Sequence, residues 1–170
     1  MNAVIDKKKI SILGGTGFVG RALCKRLLQD GHDVSVITRG SSPRIGNDLA
    51  AVNLKVLTSS ASIDREAVLA GQDVLVNLSG ILHESRRQSF HDVHVEWPAS
   101  WTLAAHKAGL SQVLHMSALR ADMENPPSAY LRSKAAGERA VIDHASGMTI
   151  QIFRPSIIFG EGDNFFGQFA

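Results

Sequence analysis

The sequence predicts an α/β domain built on a doubly wound parallel sheet. Three observations point there. Short apolar runs alternate with amphipathic stretches along the chain. The runs are rich in Val, Ile and Leu without polar alternation, as strands buried on both faces read. Glycines fall where the first run and several amphipathic stretches end, marking the turns between elements.

Lys9-Ile-Ser-Ile-Leu13 reads as a buried strand running into glycines. Residues 17–30 carry apolar positions at 19, 23 and 27 and stop at Gly31, a helical spacing with a helical stop. Val34-Ser-Val-Ile37 is the second strand, and residues 40–50, rich in Ser, Gly, Pro and Asn, form a loop. Residues 54–57 make a third strand, followed by a short helix over 63–70 that Gly71 ends. Val74-Leu-Val-Asn-Leu78 is the fourth strand, and a long helix over 86–108 ends at Gly109. Residues 113–116 are the fifth strand, Asn125-Pro-Pro opens a helix to about 145, and residues 149–153 are the sixth strand. This order predicts helices on both faces of one parallel sheet, with no internal repeat.

The chain has 170 residues, so a single domain spanning 1–170 is expected. A net charge of +2 with dispersed basic residues does not point to nucleic acid. The one dense basic run, Lys7-Lys8-Lys9, reads as a solvated edge guarding the first strand from mispairing. The lone cysteine, Cys24, excludes an intrachain disulfide and reads as a buried small hydrophobe in the first helix. No stretch approaches the ~18 apolar residues of a membrane span. The start, Met-Asn-Ala-Val-Ile-Asp, is too short and acidic for a signal peptide. A cytoplasmic protein is expected, with peripheral membrane association left open.

Gly14-Gly-Thr-Gly17-Phe-Val-Gly20 lies at the turn from the first strand into the first helix. Glycines at this spacing and place are a dinucleotide-binding signature, the mark of a Rossmann fold. Gly14 permits the tight turn, Gly17 lets backbone approach a pyrophosphate, and Gly20 lets the helix pack closely. The free N–H groups over Thr16, Phe18, Val19 and Gly20 then face the phosphates. Cofactor choice is read at the end of the second strand, where a carboxylate would select NAD. Asp33 stands at the wrong end of that strand; the right end reads Ile37-Thr38-Arg39. Arg39 can grip a 2′-phosphate, with Arg44 as a second clamp, so NADP(H) is expected over NAD(H). Asn77, Ser79 and Gly80 at the fourth strand's end form a small-residue turn suited to the adenosine ribose, or simply a tight turn.

Ser117 follows the fifth strand at the carboxyl edge, where doubly wound sheets bind ligands. Tyr130 and Lys134 are four apart on one helix and share a face. An ammonium beside a phenol lowers the phenol's pKa, so Tyr130 is expected as an acid/base on a carbonyl or carbinol, with Ser117 bonding the same oxygen.

The glycine turn, Ser117 and Tyr130-Leu-Arg-Ser-Lys134 together resemble the short-chain dehydrogenase/reductase superfamily, over nearly the whole chain from Lys8 on. Arg154-Pro-Ser-Ile-Ile-Phe-Gly160 resembles the segment that, in extended and atypical members, lines the nicotinamide side of the pocket. The resemblance therefore implies that Pro155 and Ile157 touch the cofactor. Met116-Ser-Ala-Leu, Tyr130-Leu-Arg-Ser-Lys-Ala-Ala-Gly-Glu and Arg154-Pro-Ser-Ile-Ile-Phe-Gly-Glu-Gly-Asp-Asn-Phe-Phe are similar, more narrowly, to the nucleotide-binding accessory subunit of respiratory complex I and its bacterial epimerase- or dehydratase-like relatives. In that group the eukaryotic subunit is regarded as holding NADPH structurally, so an intact Ser-Tyr-Lys set does not by itself imply turnover.

Many short-chain enzymes carry an asparagine in the long fourth helix that holds a relay water; here Val93-His94-Val95 stands in its place. Pro98 withholds the N–H that the His94 carbonyl would bond, leaving that carbonyl free to hold the water. The rival expectation is that His94 packs and the relay is gone. His91 and His94, near His83, Glu84 and Glu96, have only faint metal-site spacing, and no metal is expected. Trp97 and Trp101 read as core or dimer packing. The sequence ends at Gln168-Phe169-Ala170, soon after the sixth strand, where the resemblance implies a further strand and a substrate-binding region. A fragment, or a partner chain covering Phe165, Phe166 and Phe169, both account for this.

Three functions follow. One is an oxidoreductase or epimerase-like enzyme of the short-chain type. The second is a non-catalytic NADPH-binding accessory subunit of a respiratory NADH:quinone oxidoreductase. The third is an NADP(H) redox sensor. The partners implied are a nicotinamide dinucleotide and either a second copy of the chain or respiratory-complex subunits.

Overall fold

The computed structural model describes residues 6–39, 49–57 and 63–160. Six strands form one wholly parallel sheet: β1 (Lys9–Leu13), β2 (Asp33–Arg39), β3 (Asn53–Leu57), β4 (Val74–Asn77), β5 (Gln112–Met116) and β6 (Thr149–Phe153). Their order is β3-β2-β1-β4-β5-β6, so the winding reverses between β1 and β4. A crevice opens at such a reversal, outside the carboxyl ends of the strands.

Helices cover both faces. Ile10, Ile12, Val34, Val36, Val74 and Val76 pack with Cys24 of α1 (Phe18–Gln29) on one side. Leu13, Ile37, Leu75 and Val113 turn to the other side. There they meet Leu69 of α2 (Arg65–Leu69), Trp101 of α3 (Trp97–Lys107) and Val141 of α4 (Ala129–Asp143). Alternation within each strand thus builds two cores, which is why the strands read as unbroken apolar runs. Burial pushes the Cys24 thiol up to about 11, as expected of an inert core cysteine.

Four sequence expectations need correction. The lysine run does not guard an edge, because β1 lies between β2 and β4. Lys7 and Lys8 are exposed beyond its amino end, paired with Asp33 at 2.9 Å and Asp6 at 2.6 Å. The long helix begins at residue 90 rather than 86, after a bridge between Ser85 and Gln88. Ser89 and Asp92 cap it reciprocally: Ser89 Oγ accepts from Asp92 N–H at 3.0 Å, and Asp92 accepts from Ser89 N–H at 3.3 Å. The other late helix opens at Ala129, where Ser128 Oγ accepts the Leu131 N–H, rather than at Asn125. Lastly, residues Asp92–Glu96 form a π turn running directly into α3. The His94 carbonyl, denied its partner by Pro98, does not face a water pocket. It faces Gly137 of α4 so closely that a Cβ on Gly137 would overlap it. A Gly137 Cα hydrogen therefore lies against that oxygen. Of the two expectations for His94, packing prevails. Arg44, Phe165, Phe166 and Phe169, expected above as a phosphate clamp and as covered apolar residues, lie outside the described residues.

Candidate functional site

The glycine turn is built by contact as well as by backbone freedom. Gly14 has φ +78°, and a Cβ there would sit 2.9 Å from the Leu78 carbonyl carbon on neighbouring β4. Gly17 N–H closes the turn on Gly14 O at 3.0 Å. A Cβ on Gly20 would overlap Gly14 O and lie 2.6 Å from Gly15 Cα, so Gly20 lets α1 dock on the turn itself. Gly15 is a fourth required glycine that the motif spacing did not single out: a Cβ there would come 2.5 Å from Val36. The N-cap of α1 is Gly17, no side chain caps it, and its first turn has no acidic residue. The opening amides of α1 are thus left for a ligand with negative charge.

A cleft of about 710 Å³ runs from this turn across the sheet's carboxyl edge. Gly14, Gly17, Phe18, Val19 and Gly20 line one end, and Ser79 and Gly80 form its middle. Ser117, Tyr130, Lys134, Pro155 and Ile157 line the other end. A second cleft of about 310 Å³ shares the glycine turn and extends over β2, lined by Thr16, Arg39, Ser79, Gly80 and Trp97 among others. Asn77 departs from its expected role, because it lines neither cleft. Its amide is turned inward, donating to His115 Nδ1 at 3.0 Å and accepting the Ser79 N–H at 3.1 Å, so it holds the turn's shape. Asp33 is exposed at the far end of β2 with Lys7, away from the cleft.

At the Ser117 end, α4 supplies three polar side chains from successive turns of one face. Lys134 is 3% exposed and donates to the Met116 carbonyl at 2.6 Å. Burial brings its pKa down to about 8, against the opposing pull of Glu138. Tyr130 meets Phe90 and His94 edge-on, with centroids 6.0 and 5.6 Å away. Burial raises its pKa, contrary to the expectation that Lys134 would lower it. The ammonium is committed to Met116 O and Glu138, and the phenol loses water without gaining a compensating charge.

Sequence reasoning missed the group that organises this end. Arg154 holds Glu138 through two bonds, Nε–H to Oε1 at 2.9 Å and Nη2–H to Oε2 at 2.6 Å, and reaches Asp122 at 3.3 Å. One guanidinium therefore ties α4, the segment after β5 and the segment after β6. Burial works against the Glu138 carboxylate, but Arg154 and the nearby Ser117 hydroxyl outweigh it and hold its pKa below the usual value. The signal was readable in part: Lys134 and Glu138 are four apart, on one helix face. Ser117 Oγ is buried without a partner of hydrogen-bonding geometry, and so is His115 Nε2. Unsatisfied buried hydroxyls are uncommon and mark sites prepared for a ligand or water.

His94 pins the cleft's rim. Its Nε2 accepts the Ile81 N–H at 3.0 Å, which fixes the proton on Nδ1, facing Ser133 Oγ at 2.8 Å. Burial and the Lys134 charge bring its pKa down to about 4. Among the described residues no three His, Cys, Asp or Glu side chains converge as metal ligands, and His91 instead pairs with Glu96 at 3.0 Å. Nor, among those residues, is any helix long and apolar enough to cross a membrane.

A parallel sheet whose winding reverses beside an uncapped, glycine-built helix start defines the class of Rossmann-type dinucleotide-binding domains. Within that class the chain belongs to the NAD dependent epimerase/dehydratase family, whose pattern matches residues 10–169. It is 31% identical over 171 residues to the NADH dehydrogenase [ubiquinone] 1 alpha subcomplex subunit 9 of Dictyostelium discoideum, covering 94% of this chain and 45% of that protein. It is 32% identical over 157 residues to a ceramide reductase of Caulobacter vibrioides, covering 91% of this chain and 47% of that one. The chain thus spans about half the length of the curated relatives it matches. Among solved structures, the UDP-glucuronic acid 4-epimerase of Bacillus cereus in complex with NAD shares the fold, with a TM-score of 0.71 at 20% identity over 89% of this chain and 58% of that one.

Proposed function

We propose that this chain binds NADP(H) along the two contiguous clefts, and that Ser117, Tyr130 and Lys134 form a reductase-type site for a carbonyl or carbinol. The observation that supports it best is convergence. The glycine turn, Arg39 and all three polar side chains line clefts that meet at the sheet's switch point. The opening amides of α1 suit a pyrophosphate, and the space a Cβ would fill at Gly17 is left to the ligand. Arg39 at the end of β2 suits a 2′-phosphate, and among the described residues no carboxylate stands at that strand end to take a free 2′-hydroxyl. The bound nicotinamide would supply or accept a hydride. The Ser117 hydroxyl, buried at the cleft beside the Glu138 carboxylate, suits bonding the substrate oxygen. Tyr130, with its pKa raised, is resident as the neutral phenol and suits giving a proton to a carbonyl oxygen, the direction of reduction. Lys134, with its pKa brought down to about 8, lines the same end of the cleft and is held there by the Met116 carbonyl.

A second reading is favoured by one specific observation: the similar subunits of mitochondrial NADH dehydrogenase, together with a Lys134 engaged by Met116 O rather than by the phenol. On that reading NADPH is a structural ligand, and the protein works against a membrane complex rather than free in the cytoplasm. A redox sensor would use the same residues and has none of its own. The experiment is to identify the nucleotide carried by the purified protein, follow its exchange, and repeat both with Tyr130→Phe. Rapid exchange, with turnover lost in the variant and binding kept, supports the enzyme. Cofactor held for hours and indifferent to the variant supports the structural subunit. A protein that takes up neither NADPH nor NADH ends both readings.

A further inference from the structure

The adenosine end of the cleft carries a contact that the reading above does not use. Trp97 is the first residue of α3, immediately after the π turn, and its indole forms part of the wall of the cleft over β2. It packs edge-on against Trp101, with centroids 5.7 Å apart at 63°, and Trp101 is fully buried in the core. The ring is therefore held by the core, not by the surface. Over it lies Arg39, with the guanidinium carbon 4.9 Å from the ring centroid. Arg65 of α2 also approaches the ring, at 5.8 Å, and lies 5.7 Å from Trp101, with its Nε buried and unpartnered. Among the described residues neither arginine has a carboxylate partner.

Two guanidiniums meet on one indole, whereas Arg26 and Arg154 pair with acids. An arginine at an exposed strand end ordinarily samples many rotamers. Contact with a fixed ring removes most of them, and it occupies none of the N–H donors with an acceptor. The five N–H donors lie in the plane of the group and stay available to an oxyanion.

We infer that Trp97 is a positioning residue for cofactor choice: it holds the Arg39 guanidinium at the end of β2, ordered in advance for the 2′-phosphate of NADP(H). The inference rests on the cofactor reading above and deepens it. NADH has no 2′-phosphate, so it gains nothing from the stack. Arg65 adds positive potential on the same ring.

The test is calorimetric titration of the protein with NADPH and with NADH. The unmodified chain should prefer NADPH. Trp97→Leu should loosen NADPH by about three- to tenfold, the scale of a cation–π contact and the ordering it provides, and leave NADH unchanged. Trp97→Phe keeps an aromatic contact with Trp101 and a weaker π face, so it should fall between the two and guards against a folding defect in the leucine variant. In an Arg39→Leu background, Trp97→Leu should have no further effect on NADPH, because the ring acts through that arginine. Equal loosening of both nucleotides by Trp97→Leu would make the indole a platform for adenosine and overturn the inference. So would a selective loss that persists without Arg39. An NADPH preference that survives Trp97→Leu intact sinks the inference and leaves the cofactor reading standing. Equal affinities in the unmodified chain sink both.

Discussion

Gly137→Ala should destabilise this protein, although it replaces a mid-helix glycine with the best helix former. On propensity alone, alanine at an interior helical site gains about 0.8–1 kcal/mol. Here the Cβ would project into the His94 carbonyl oxygen, far inside the 3.0 Å limit below which real Cβ contacts do not fall. The oxygen cannot turn away, because it belongs to the backbone of the π turn. α4 and the π turn must separate by about 1 Å, and overpacking of this kind costs roughly 1–3 kcal/mol beyond the propensity gain. With m of about 1–3 kcal/mol/M, the urea midpoint should fall by roughly 1 M. Trp97 and Trp101 lie just beyond that turn, so their fluorescence reports the unfolding directly. The shift should also disturb Lys134 and Tyr130, which sit about one and two turns earlier on α4. A midpoint equal to or above that of the unmodified protein would refute the argument that the α4–π-turn contact is backbone on backbone.

Two further outcomes follow from buried charge. His94 and His115 have folded pKa values brought down to about 4 and about 3, largely by burial, below the ordinary histidine value of 6.5. The unfolded chain therefore binds more protons between those values, and stability present above pH 6.5 is lost as the pH falls, by about 1.4 kcal/mol per pH unit for each histidine. Urea midpoints should decline steeply from pH 6.5 towards 5, above the ordinary carboxylate range, and a flat profile over pH 6.5–5 would contradict the buried neutral imidazoles. Lys134 has its pKa lowered from 10.5 to about 8, so stability should rise as the pH climbs between those values, where the unfolded chain holds the extra proton. Lys134→Met should abolish that rise and stabilise the protein by about 1–3 kcal/mol at pH 7, at the expense of the site. A variant that melts lower at pH 7 would show that the Met116 and Glu138 contacts outweigh the burial penalty.

The parts of the fold that depend on local pattern were legible. Six apolar runs, the glycine turn and the stop glycines locate the strands and the switch point within a few residues. Helix starts were less legible than the sequence allowed. Ser89-x-x-Asp92 is a capping signature and Ser128 an N-cap residue, yet the helices were expected to open at 86 and at Asn125. The π turn was signalled only through Pro98. That the freed His94 carbonyl meets Gly137 depends on the approach of α4, and nothing in the two local sequences states it. The Glu138–Arg154–Asp122 group joins three elements brought together only by the parallel pairing of β5 and β6. Each member alone reads as an ordinary charged residue.

Tyr130 shows why residues that share a helix face need not carry the electrostatics their spacing suggests. Spacing four apart on a helix shows that Tyr130 and Lys134 share a face, but not which acceptor the ammonium chooses. The choice is made by β5, whose last carbonyl, at Met116, lies within 2.6 Å of Lys134 Nζ, and by Glu138 one turn further along α4. With the positive charge drawn down towards the sheet, burial alone acts on the phenol and raises its pKa. A tyrosinate base would need the ammonium to leave Met116 O. A neutral phenol needs no such move, and its proton is then available to an oxygen held by Ser117. Spacing alone suggests a tyrosinate, whereas burial and the placement of the ammonium leave Tyr130 a neutral phenol.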